Sequence, residues 1–128
     1  TAAGLHKVVQ KCRHLHTLFI NVTNCARYDF SIVCNMTTLH VSFDDWNEPS
    51  EALQRLAFHC RNLQHLRLEL HFVTPEVLLP LNASNFRQLR TLHVNAIDSY
   101  DGFGPRSKGI ILDTLRPQLP HTVIAVNV

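Results

Sequence analysis

One word of four apolar residues recurs along this chain and limits what it can fold into. In the clearest copy, Leu63-Gln64-His65-Leu66-Arg67-Leu68-Glu69-Leu70, leucines stand at positions 1, 4, 6 and 8, and the last three alternate with polar residues. Alternation with a period of two marks a strand with one face buried and the other in water. Further copies start at Leu15 (with Leu18, Ile20, Val22), at Met36 (Leu39, Val41, Phe43) and at Leu89 (Leu92, Val94, Ala96). A degenerate fifth copy starts at Leu119, with Thr122, Ile124 and Val126. The starts are 21, 27, 26 and 30 residues apart, which is room for one strand and one return segment per copy.

The return segments have helical spacing. Residues 49–58 place Ala52, Leu53, Leu56 and Ala57 on one stripe, with an acid in the first turn. Thr74-Pro75-Glu76 reads as an N-cap, a first-turn proline and a favourable charge. Ser107 opens a third such segment carrying Ile110, Ile111 and Leu115, and Arg116-Pro117 is expected to stop it. Leu5, Val8 and Val9 form a shorter stripe, and residues 27–35 leave space only for a short helix or turn. Strand, loop and helix in each unit predict parallel strands with the helices on one side, an α/β arrangement. A unit of this kind cannot bury its apolar face alone, so stability comes from stacking its neighbours. The expected fold is a solenoid of about five parallel strands on a concave side, with helices on the convex side. At 128 residues the whole chain, 1–128, is expected to be one repeat domain. It opens Thr1-Ala2-Ala3-Gly4 and closes inside the fifth pattern, and it is read as a fragment of a longer protein.

A net charge of +2 selects no partner, and no apolar run approaches the ~20 residues that span a bilayer. The four cysteines are Cys12, Cys25, Cys34 and Cys60, with no C-x-x-C pair for zinc. Cys12 and Cys60 stand three residues before position 1, where the fourth copy has Phe86. A position that takes either Cys or Phe is a packing site, and free cysteine packs as a small hydrophobe. Three Asn-x-Ser/Thr sequons occur, at Asn21, Asn35 and Asn82. Asn21 falls on a strand face and Asn35 beside a packed turn, poor places for a glycan, so the expected compartment is cytoplasmic or nuclear.

The pattern Cys-Arg-x-Leu-x-x-Leu-x-Leu, in Cys12 to Ile20 and Cys60 to Leu68, resembles the cysteine-containing leucine-rich repeats of intracellular proteins. In particular it is similar to the repeats of F-box proteins, the substrate-receptor subunits of cullin–RING ubiquitin ligases. The resemblance implies protein binding without catalysis: the repeats hold a target while other parts of the assembly act. The F-box module that docks on the Skp1 adaptor is not in this sequence, so any Skp1–cullin contact is expected only through other parts of the parent chain. The uneven period, the degenerate last copy and the inserted loops at 44–48 and 98–106 depart from regular members. Scaffold or inhibitor-like repeat proteins with no ubiquitin role share the architecture, as do secreted ligand-binding ectodomains.

If positions 4, 6 and 8 point inward, positions 3, 5 and 7 form a grid on the opposite wall. That grid holds Thr17, Phe19 and Asn21; Thr38, His40 and Ser42; His65, Arg67 and Glu69; Thr91, His93 and Asn95; and His121, Val123 and Ala125. Neighbouring strands lie ~4.8 Å apart, so His40, Arg67 and His93 fall in one row within reach of a single ligand. Arg and exposed aromatics are the residue types that dominate interface energetics, which makes this wall the candidate partner-binding face. A second candidate surface is the loop edge, with Trp46 in the acidic 44–48 loop and Tyr100 and Phe103 in the 98–106 loop. The histidines on successive strands are staggered between grid columns, and no phosphate loop, nucleophile elbow or His-Glu-x-x-His segment occurs. No enzyme activity, metal or cofactor is therefore expected. Arg13, Arg61 and Arg87 recur two residues before position 1 and are expected to cap helix carbonyls, not to bind nucleic acid.

Overall fold

The computed structural model describes residues 17–22, 35–43, 50–70, 73, 75–96 and 107–127. Five strands, β1 (Thr17–Val22), β2 (Thr38–Phe43), β3 (His65–Leu70), β4 (Thr91–Ala96) and β5 (Val123–Asn127), form one parallel sheet in sequence order. Three helices are described: α1 (Ser50–His59), α2 (Pro75–Leu78) and α3 (Ser107–Gln118). The chain is thus an α/β fold built on a parallel sheet. Register is set by the repeated word. Leu39 stands opposite Leu66 and Leu66 opposite Leu92, while Val41, Leu68 and Val94 align two residues on.

The alternating apolar positions of β2, β3 and β4 are buried against the stripe Ala52, Leu53, Leu56 and Ala57 of α1, Val77 and Leu78 of α2, and Ile111 and Leu115 of α3. All of these belong to one continuous core. Between helix and sheet the chain repeats one hydrogen-bonding scheme. Cys60 N–H donates to the Leu56 carbonyl (2.8 Å), and Leu63 N–H in turn reaches the Cys60 carbonyl (3.4 Å). Phe86 and Leu89 make the same pair of bonds to Asn82 and Phe86, at 2.9 and 3.3 Å. The strand entrances are stitched to one another as well. Gln64 and His65 donate to the Thr37 carbonyl (2.8 and 3.0 Å), and Arg90 and Thr91 to the Gln64 carbonyl (2.7 and 3.1 Å). Gln118 ties the last helix down: its Nε2 donates to the Leu78 and Leu81 carbonyls, at and just past the end of α2, at 2.9 and 2.8 Å.

The fifth strand departs from the sequence reading. Leu92 pairs with Ile124, not Thr122, and Thr91 with Val123. The cause is visible at Leu119. Its N–H donates to the Leu115 carbonyl (2.9 Å) and its carbonyl accepts from Thr122 (3.2 Å), so it occupies the slot of Cys60 and Phe86, not the start of a repeat. All three side chains are buried. His121, expected on the wall, consequently sits in the turn before β5, and Val123 and Ala125 move one grid place back along it.

Three smaller corrections follow from packing. Helix α3 runs through Pro117 and ends at Gln118, because a proline in the last turn removes a single backbone bond while Leu119 still closes onto Leu115. Ile110 is exposed; the buried stripe of α3 is Ile111 and Leu115, with Leu112 partly covered. Ser42, expected in solvent, is buried, with His40 two residues before it on its own strand and Glu69 opposite it. The expectations for Cys12, Cys25, Cys34, Arg13, Thr74, the 1–16 stripe and residues 27–34 lie outside the described residues.

Candidate functional site

The face of the sheet opposite the core carries polar, aromatic and cationic side chains in rows fixed by the register. The central row is Phe19, His40, Arg67, His93 and Ala125, one residue per strand. A hollow of about 300 Å³ opens along it, lined by Phe19, His40, Arg67 and His93, with His65 and Thr91 from the adjoining row. Period-two alternation puts these residues here: His40, Arg67 and His93 each lie between two buried apolar neighbours, so none can turn inward without expelling a leucine or valine from the core.

Phe19 is 56% exposed and its ring meets His40 edge to face, with centroids 4.3 Å apart. His40 Nε2 lies 3.1 Å from Glu69 Oε1, a diagonal contact across β2 and β3 that becomes an ion pair when the imidazole is protonated. That nitrogen is otherwise buried, and the approach is too poorly aligned for a hydrogen bond, so its character is electrostatic. His65 Nδ1 is 2.7 Å from Thr91 Oγ1. On the far side Asn127 Nδ2 lies 2.9 Å from His93 Nε2, a bond that the amide donates when that nitrogen carries no proton and the ring is neutral. The same state is favoured electrostatically. Partial burial, then the Arg67 guanidinium, then His40 hold the His93 pKa below the ordinary imidazole value.

Five of the wall residues singled out from the sequence, Phe19, His40, Arg67, His65 and His93, therefore line one hollow, and Glu69 adjoins it through His40. Arg67 is exposed at the centre. Trp46, Tyr100, Phe103 and their loops lie outside the described residues. Asn127 was not foreseen as part of the wall site: counted from Leu119 it falls beyond the grid, and only the shifted register brings it beside His93.

A larger hollow, about 650 Å³, lies between α1 and the 82–88 turn, lined in part by Phe58, Arg61, Asn85 and Arg87. Sequence periodicity gave no sign of it, because Phe58 falls off the buried stripe of α1. Arg61 crosses its edge, with Nε 3.4 Å from the Phe58 carbonyl and the guanidinium 5.7 Å from the Phe58 ring centroid. That is the carbonyl-capping role expected of the arginine column. Despite its size this hollow lacks the convergence of ionisable groups found on the wall, and the wall is the better candidate site. Of the sequons, Asn35 is exposed, contrary to expectation, while the Asn82 amide is engaged at both ends, donating to Leu79 O (3.0 Å) and accepting from Asn85 N–H (2.9 Å).

Among the described residues no group of three or more His, Cys, Asp or Glu side chains is arranged to hold a metal ion. No helix among them is long and apolar enough to cross a membrane. Comparison with models of known protein families, with curated proteins and with solved structures finds no match.

Proposed function

We propose that this chain is a protein-binding leucine-rich-repeat segment, the substrate-recognition part of an F-box-type ubiquitin-ligase subunit in the cytoplasm or nucleus. The observation that carries the reading is the in-register row Phe19–His40–Arg67–His93 on the uncovered face of a parallel sheet in sequence order. A strand, a return segment and the next parallel strand, repeated at 26 to 32 residues through the later copies, are one turn each of a solenoid; its strand face is the concave wall and its helices the convex side. The slot filled by Cys60, Phe86 and Leu119 supports the resemblance to cysteine-containing repeats, since one buried position recurs in these three described units with the same backbone bonds. The mechanism in this reading is positioning. Arg67 and Phe19 anchor a target, while Skp1 and the cullin engage the parent chain elsewhere.

The double substitution Arg67→Ala with His93→Ala tests it. Both residues lie on the uncovered face, so the melting temperature should stay close to that of the unmodified chain. Affinity capture with the parent protein should lose its substrate proteins and retain ligase subunits. Recovery of an unchanged set of substrates would reject the wall as the site.

The exposed Asn35 favours a second reading, a secreted ligand-binding ectodomain. Mass spectrometry of the protein from its native source decides between them: a glycan on Asn35 places the chain in the secretory pathway and removes the ligase role.

A further inference from the structure

Resting on the wall as the recognition surface, we infer that its partner presents an acidic peptide segment whose carboxylate is taken by Arg67, with an apolar side chain of the same segment lying against Phe19. Four observations converge on this occupant. Arg67 stands at the centre of the row, is exposed, and makes no ion pair among the described residues. Glu69, the acid of the wall, is turned to His40 at 3.1 Å and does not neutralise the guanidinium. His93, across from Arg67, has its Nε2 engaged by the Asn127 amide at 2.9 Å, so that nitrogen is already occupied and does not compete with the guanidinium for an anion. Phe19 is two strands from Arg67 in the same row, which places an apolar shelf about 10 Å from the charge by strand spacing.

The hollow between these two anchors is an open trough along the row, suited to an extended chain crossing the strands. Residues two apart on one face of an extended peptide are about 7 Å apart at the backbone. Side chains of ordinary length bridge the rest, so an apolar residue and an acid separated by one residue fit both anchors. Arg is the residue suited to such a partner, since its planar fork of donors matches a carboxylate in two parallel bonds.

The test uses the uniformly nitrogen-15-labelled 128-residue chain and two blocked peptides, acetyl-Ser-Leu-Ser-Asp-Ser-amide and the same peptide with Asn in place of Asp. Backbone and arginine side-chain shifts are followed during titration. The Asp peptide should move the Arg67 Nε–H and the amides of His40, Arg67 and His93, and bind about tenfold or more tightly than the Asn peptide, the low end for a charge-assisted bond. The Arg67→Gln variant, with its amide dispersion unchanged, should bind both peptides equally weakly. Phe19→Ser should weaken both in proportion. Equal binding of the two peptides on the wall would overturn the carboxylate assignment while leaving the wall a binding surface. Shifts confined to Arg61 and Arg87 with a silent wall, or no shifts at all, would overturn this inference and tell against the wall itself.

Discussion

His93 shows how a single side chain reports the electrostatics of the wall. Burial, Arg67 and His40 all disfavour its protonated form, so its folded-state pKa lies below the ~6.5 of an unfolded histidine. Between those two values the unfolded chain binds more protons than the folded one, and stability is lost as the pH falls through that window. His93→Gln removes the effect: its urea midpoint should decline less steeply below pH 6.5 than that of the unmodified chain, and parallel curves would contradict the assignment. The charged and titratable neighbours in play are His40, His65, Arg67 and Glu69, and of these the guanidinium is the one that can be removed cleanly. Arg67→Gln should move the His93 titration upward in a histidine-ring spectrum. Gln118 is the second telling residue, because its side-chain amide satisfies two carbonyls at once. Gln118→Met should cost about 1–3 kcal/mol in chemical denaturation, as the Leu81 carbonyl loses this donor and the Leu78 carbonyl keeps only the Leu81 N–H. Thr114→Ala, whose hydroxyl only returns to the Ile110 carbonyl within its own helix, should be nearly neutral.

At the level of the element, β2, β3 and β4 were legible because one pattern sets both their faces and their register. Leu39, Leu66 and Leu92 align in a buried row where the repeat of positions 1, 4, 6 and 8 puts them. Leu66→Ala should therefore cost about 2–5 kcal/mol by emptying the middle of that row, measured as a loss of unfolding free energy. Val123→Ala, at a residue 71% exposed, should stay within about 0.5 kcal/mol. The fifth strand was misplaced by two residues for a physical reason. Leu119 looks like the opening leucine of a repeat, yet the helix end at Leu115 and the bond from Thr122 make it the counterpart of Cys60 and Phe86. Apolarity alone does not separate those two kinds of buried position; only the hydrogen bonds around them do. The wall row could be read from spacing, since parallel in-register strands bring equivalent positions side by side. The diagonal choice of Glu69 for His40, and of Asn127 for His93, depends on side-chain reach and on the shifted register, which period-two alternation does not encode.

For the whole molecule, the division of labour follows from the described helices covering one face of the sheet while Phe19 and Arg67 are exposed on the other. The covered face and the helices share a continuous apolar core, which fixes the strands without recruiting any of the wall residues. Wall side chains are therefore free to be chosen for recognition, and their replacement should alter binding with little change in stability. The helix side also exposes large apolar groups, Phe58 and Leu79 among them, and it is the natural competitor for a partner. Site-specific photocrosslinking separates the two faces most directly. With benzoylphenylalanine placed in turn at positions 67 and 79 of the parent protein, partner adducts should form from position 67 and be absent from position 79. Adducts from position 79 alone would contradict the assignment of recognition to the strand face.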